Sequence, residues 1–294
     1  MRVARPVPTR LTTALAVALA TVAVAIGPAS APAAATLADR TYVALGDSFT
    51  AGPLVPHPLP DPWGCLRSDQ NYPHLVARRL GSDLRDVSCS GAATADLSSV
   101  QPVVGGANRP QLEALAPDVG TVSIQIGGND VGFGEILQRC LAPLPLGMPC
   151  RDHFTGGGTD EVSRRIAATG PLVATALGEI RRRSPHARVF VVGYPAILPE
   201  TLSGCWPVMP VTAGDVGYLR DKQKELNAML AAQAAAAGVV YVDVYGPGVG
   251  HDSCQLPGAR WVEPLIPLSP AAPVHPNALG MRGMADVLLA ALGR

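Results

Sequence analysis

Val43-Ala44-Leu45-Gly46-Asp47-Ser48-Phe49-Thr50-Ala51-Gly52 is the stretch on which the reading of this chain turns. A short apolar run suited to a buried strand stops at Gly-Asp-Ser, and the residues after the serine have turn character. Open α/β sheets place their ligands outside the carboxyl ends of the strands, so a serine there projects into a cleft. Ser48 is therefore a candidate nucleophile. Taken alone, Gly and Asp are ordinary turn residues and Ser an ordinary helix cap; the weight comes from what lies downstream.

Working outward, apolar β-rich runs alternate with helical patterns. Strands are predicted over 41–45, 84–89, 119–126, 188–193 and 239–244. Helices are predicted over 71–80, 160–183 with a kink at Gly170-Pro171, 215–237, and 276–292 with Pro276 in the first turn. This alternation implies parallel strands with helices on both faces: a three-layer α/β/α, flavodoxin-like domain around a five-stranded parallel sheet. Four long proline-rich loops, 52–63, 142–158, 195–210 and 245–273, are expected to be functional. Their apolar residues, Leu54, Leu144, Leu146, Leu256, Ile266 and Leu268 among them, mostly pack the loops, with some expected to line an acyl groove. No internal repeat or linker marks a second domain.

The first ten residues carry Arg2, Arg5 and Arg10 and no acid. An uncharged apolar run over 11–26 follows, then two Ala-x-Ala sites at 29–31 and 33–35. This is the pattern of a secretory signal peptide over 1–35, and the run is too short for a spanning helix. Cleavage after Ala35 leaves 259 residues and shifts the balance from 23 basic and 23 acidic residues to 20 and 23. With no basic field, nucleic acid is not an expected partner. Six cysteines in an exported chain favour disulfides, and no spacing among them resembles a zinc site. Of the 15 possible pairings, the sequential one, Cys65–Cys89, Cys140–Cys150 and Cys205–Cys254, is expected because each pair then brackets a loop-rich stretch.

Hydrolysis through a serine needs a base for the hydroxyl proton and donors for an oxyanion. Gly91, after the second strand, can offer a backbone N–H. Gly127-Gly128-Asn129-Asp130, after the third, offers a sharp turn and the Asn129 amide. His275, between the fifth strand and the last helix, is the natural base, with His251 the best rival. The chain lacks Gly-x-Ser-x-Gly, a phosphate-binding Gly-x-x-x-x-Gly-Lys-Ser/Thr, His-Glu-x-x-His and a dinucleotide fingerprint.

Gly46-Asp47-Ser48, Gly91, Gly127-Gly128-Asn129-Asp130 and His275, in this order, resemble the blocks of the SGNH hydrolases, also called the GDSL lipase/esterase family. The resemblance spans the chain from about Thr41 onward and is nearest to secreted actinomycete esterases and lipases with three disulfides. It implies Ser48 as nucleophile, His275 as base and then acid, and an oxyanion hole from the N–H groups of Ser48 and Gly91 with the Asn129 side chain. One position departs from the pattern: the family's usual Asp, three residues before the histidine, is Ala272 here. A main-chain carbonyl of Ala272 or Pro273 is the expected substitute, with Asp243, Asp252 or Glu263 folding back as the alternative. The expected activity is secreted cleavage of carboxylic esters without cofactor or metal, by a monomer with no stable membrane anchor, acting on an ester or lipid. Phospholipase, glycan O-deacetylase and non-catalytic binding protein are the alternatives.

Overall fold

The computed structural model describes residues 1–4, 6, 41–201 and 203–294. The apolar run and both Ala-x-Ala sites of the expected leader lie outside the described residues. The described residues from Thr41 to Arg294 form one compact unit. No helix among the described residues is long and apolar enough to cross a membrane.

β1 (Thr41–Gly46) is buried along its whole length. Successive side chains of a strand face opposite ways. Tyr42 and Ala44 accordingly join one apolar cluster, and Val43 and Leu45 join another. A strand with no solvent side belongs inside a parallel sheet covered on both faces. There β1 lies between β2 (Asp83–Asp86) and β3 (Thr121–Gln125), and β4 (Arg188–Val192) and β5 (Val240–Val242) continue beyond β3. The order is β2-β1-β3-β4-β5, all parallel, with Val43 opposite Val122 and Val122 opposite Val189. Strand order reverses direction at β1/β3, where such sheets open a crevice.

The helices are α1 (Ser48–Ala51), α2 (Tyr72–Leu80), α3 (Gly128–Val131), α4 (Phe133–Cys140), α5 (Pro149–Thr155), α6 (Glu161–Arg183), α7 (Ala213–Ala236), α8 (Tyr245–Gly248) and α9 (Ala278–Ala291). Apolar faces of α6 and α7 cover the Val43 side of the sheet through Ile166, Val173, Leu177 and Leu230. Those of α2 and α9 cover the Tyr42 side through Tyr72, Val76, Met281, Met284 and Leu288. This is the three-layer architecture expected from the alternation of elements.

The differences are local and have physical causes. β2 ends at Asp86, short of Cys89, where Asp86 Oδ1 accepts from both Ser88 N–H and Ser88 Oγ–H and turns the chain. α9 begins after Pro276, because Asn277 caps it by accepting from Leu279 N–H and Gly280 N–H. α6 spans Glu161–Arg183 with Pro171 inside it, as the sequence pattern predicts. The stretch 142–158, expected as a loop, contains α5. Its first N–H groups, from Cys150 and Arg151, donate to the Asp215 carboxylate of α7 at 3.1 and 2.9 Å, a cap supplied by tertiary structure.

Three disulfides join Cys65 to Cys89, Cys140 to Cys150 and Cys205 to Cys254, the sequential set. The last spans 49 residues and the second only 10. Loop-closure entropy then assigns roughly 4 kcal/mol to the former and roughly 3 to the latter. Replacing Cys205 and Cys254 by alanine is expected to lower the urea midpoint more than replacing Cys140 and Cys150. The reverse ranking would mean that local packing, not chain constraint, dominates their contribution.

Candidate active site

β1 delivers its last residues to a tightly held corner. Gly46 has φ 155°, and a Cβ there would lie 2.2 Å from Thr50 Oγ1 and 2.7 Å from Gln125 O, so no other residue fits. The buried Gln111 amide clamps the Gly46 backbone, accepting from its N–H at 2.8 Å and donating to its carbonyl at 3.0 Å. Asp47 N–H donates to Gln125 O at 3.0 Å. The Asp47 side chain caps α1 by accepting from Phe49 N–H at 2.9 Å. Ser48, the first residue of α1, is thereby fixed in place at the mouth of the crevice.

Ser48 Oγ lies 2.7 Å from His275 Nε2, a contact between residues 227 apart in sequence. His275 Nδ1 lies 2.8 Å from the Pro273 carbonyl. A carbonyl can only accept, so Nδ1 carries the proton and Nε2 presents its lone pair to the serine hydroxyl. Phe49 and Phe133 enclose the imidazole, with ring centroids 4.8 and 6.0 Å from it. Burial holds His275 below the ordinary histidine pKa, opposed only by its bond to Pro273. The ring is therefore neutral, and able to accept a proton, into mildly acidic solution.

Pro273, and not Ala272, supplies the acceptor. The Ala272 carbonyl instead accepts from His275 N–H at 3.2 Å, closing a turn. Pro273 and Val274 occupy its centre, and Val274 has φ 60°. Proline followed by positive φ describes a type II turn, in which the third position normally calls for glycine. A buried, β-branched Val274 in the left-handed region costs about 1–3 kcal/mol, and the strain sits on the peptide whose carbonyl orients the imidazole. The alternative carboxylates are engaged elsewhere. Asp243 accepts from Tyr245 N–H and Gly246 N–H, Asp252 from Cys254 N–H and Gln255, and Glu263 pairs with Arg260 and Asn277. His251 bonds the Ala259 carbonyl through Nδ1 and stacks on Trp261 at 5.0 Å, away from the serine.

Asn129 lies on α3 and shares the cavity wall with Ser48. One Nδ2–H donates to Ala92 O at 2.9 Å, which leaves the second for another acceptor. The same bond draws in the segment carrying Gly91, an exposed residue at φ 80° outside the cavity lining. That segment is also anchored at the strand end by Cys89 N–H to Gly46 O at 3.0 Å. Asp130 stands behind, accepting from Thr94 N–H and Thr94 Oγ–H.

Sequence reasoning missed Tyr194. Its hydroxyl accepts from Gly128 N–H at 2.9 Å and donates to Asp47 Oδ2 at 2.5 Å, bolting the asparagine block to the serine block. Its position just past β4, after Gly193, is the one sequence signal that marked it: another strand end facing the crevice. Burial pushes the Asp47 carboxyl up to about 7, with the bonds from Tyr194 and Phe49 N–H pulling the other way.

Beneath this constellation is a cavity with about 880 Å³ of empty space, part of it open to solvent. Ser48 and Asn129 stand at one side, and Ile136, Leu137, Ile166, Leu198 and Leu226 form much of the wall. The apolar loop residues expected to form a groove are absent from this lining. Helices α4, α6 and α7 supply nine of its 21 residues, and Ile197, Leu198, Met209 and Val211 of the 195–211 stretch contribute four more.

Residues 44–282 match the model of the GDSL-like Lipase/Acylhydrolase family. Lipase 2 of Streptomyces coelicolor is 43% identical over 259 residues, covering 86% of this chain and 85% of that one. The crystal structure of the extracellular lipase of Streptomyces rimosus aligns with a TM-score of 0.70 at 28% identity, covering 85% and 99%. That of phospholipase A1 from Streptomyces albidoflavus aligns with a TM-score of 0.73 at 25% identity, covering 86% and 99%.

The Tyr194–Asp47 bond has a measurable pH signature. An unfolded aspartate titrates near 4 and the folded Asp47 at about 7. Its protonated form therefore favours the fold, and stability is lost as pH rises between those values. Tyr194 stabilises the ionised carboxyl, so removing its hydroxyl raises the folded value and carries the loss to higher pH. Tyr194→Phe is expected to lower unfolding free energy more at pH 8 than at pH 5 in urea titrations. Equal losses at both would assign the contribution to the Gly128 bond alone.

Proposed function

The chain belongs to the GDSL-like lipase/acylhydrolase family, and from that premise we propose that it is an exported serine hydrolase of fatty-acyl carboxylic esters. The observation that carries this reading is the 2.7 Å approach of Ser48 Oγ to His275 Nε2, with Pro273 O 2.8 Å from Nδ1. Ser48 Oγ attacks the ester carbonyl while His275 takes its proton. The oxyanion meets the Ser48 and Gly91 N–H groups and the unused Asn129 Nδ2–H. Collapse of the tetrahedral species expels the alcohol, protonated by His275, and leaves an acyl-Ser48. Water, deprotonated by the same imidazole, then releases the acid. A neutral carbonyl stabilises the imidazolium less than a carboxylate would, and the low pKa of His275 suits a base that needs no counter-charge at rest.

The acyl chain occupies the helix-lined cavity. An acetyl group would leave most of that apolar space unfilled, which favours fatty-acyl esters over glycan acetates. Export is supported by the leader pattern over 1–35 and by three disulfides in the unit that follows, proposed here to be a single catalytic domain, 36–294.

Ser48→Ala is expected to abolish turnover of p-nitrophenyl esters and leave thermal unfolding nearly unchanged; residual hydrolysis above background would remove Ser48 from the reaction. In the active protein kcat/KM should climb from acetate toward medium and long acyl chains and exceed that on acetylated xylan, whereas a preference for the glycan would favour the deacetylase alternative. Phosphatidylcholine and triglyceride in the same series separate phospholipase from lipase. Because only neutral His275 accepts the proton, kcat/KM should rise with pH through an inflection below the ordinary histidine value near 6.5. An inflection above it would contradict a desolvated base.

A further inference from the structure

The chain is 16% charged, yet four stretches, 48–60, 141–150, 203–214 and 264–281, contain no Asp, Glu, Lys or Arg. The structure joins them into one surface. Ala142 N–H donates to Pro210 O at 2.8 Å, and Trp206 Nε1–H returns a bond to Ala142 O at 3.1 Å. Leu265 and Val274 pack with Leu198, Met209 and Val211. Ala272 N–H donates to Pro53 O at 2.9 Å. Met209, Val211 and Val274 also line the cavity, and Ser48 and His275 belong to two of the four stretches, so this surface surrounds the cavity mouth. Outward from it project Leu54, Leu144, Leu146, Trp206, Ile266 and Leu268, each between 40% and 76% exposed.

Scattered exposed leucines are unremarkable, but a ring of them without a single charge is an interaction surface. Its missing charges select the partner. Arg139 and Arg151 flank the 141–150 stretch, but within the four stretches a nucleic acid or an acidic peptide would find no cation to pair with, and a basic partner no anion. A neutral lipid–water boundary needs neither: aliphatic side chains enter its acyl region, and an indole suits its polar edge. Trp206 already has its N–H satisfied.

We propose that this uncharged rim docks the protein on aggregated neutral or zwitterionic lipid and brings the cavity mouth against the acyl layer. The proposal rests on the acyl-ester reading only for what enters the cavity, and docking is measurable without turnover. The probe is the exported form, residues 36–294 without the leader, carrying Ser48→Ala, sedimented with phosphatidylcholine vesicles, with and without anionic phosphatidylglycerol, at low and high salt. Expected is binding to the zwitterionic vesicles that changes by less than about twofold with anionic lipid or salt, since no charge pairing is involved. Adding Leu144→Asp with Leu146→Asp, or Ile266→Asp with Leu268→Asp, should weaken it by about tenfold or more. The same pairs in the active protein should leave hydrolysis of dissolved p-nitrophenyl acetate within about twofold, because they line no part of the cavity. No vesicle binding, binding that requires anionic lipid or is lost at high salt, or a lipid-free dimer that the aspartates dissociate would each overturn the proposal, the last by giving the rim to a second copy of the chain. Inactivity of the unsubstituted protein on the dissolved ester would instead strike the hydrolase reading and leave the vesicle result standing.

Discussion

β1 has no face on which to meet water, and the arrangement of the crevice follows from that constraint. Its two sets of side chains are claimed by different apolar clusters, so a slip of one residue would exchange Val43 and Leu45 for Tyr42 and Ala44 in both at once. The register is therefore stiff, and it fixes where Gly46 ends. From that point polar bonds take over: Gln111 on both groups of the Gly46 peptide unit, Gln125 on Asp47, Asp47 on α1. Hydrophobic burial sets the coarse position of Ser48, and hydrogen bonds remove the remaining freedom.

The crevice is organised in two tiers that share little. The first is polar and central, with Tyr194 bridging Gly128 and Asp47 across the β1/β3 switch point. The second is apolar and peripheral, built from α4, α6, α7 and the loops beside them. Phe49 and Phe133 stand where the tiers meet, touching the imidazole on one side and, on the other, the cavity that both line. Such a division lets the shape of the apolar tier vary without disturbing the proton path of the polar one.

How much of this could be seen in the sequence depends on how far each signal reaches. The sheet was legible because a helical pattern follows four of the five apolar β-rich runs. Ser48 and His275 were legible because each sits at a strand-to-helix junction with a recognisable neighbourhood. α4, an eight-residue helix that follows Gly132 with no side-chain cap, was not; nor was α5, since a short helix capped by Asp215 from a distant element has no local signature. Gln111 and Tyr194 escaped for the same reason: a buried amide and a phenol acquire their meaning only from partners some 65 to 147 residues away. Leu144, Leu146, Ile266 and Leu268, expected to pack the loops with some lining a groove, face outward instead, because hydropathy alone cannot tell a lining from a rim.

The acceptor beside His275 belongs to the polypeptide backbone, and this has a genetic consequence. No codon change at position 273 can delete a carbonyl; replacements there can only tilt it, through the turn that Val274 holds in an unfavourable conformation. Under the proposed mechanism a saturation scan would flag Ser48, His275 and the Asn129 amide, but no side chain in the orienting role. The orienting group would be invisible to such a survey and would register, if anywhere, as an unexpected intolerance to substitution at a neighbouring valine.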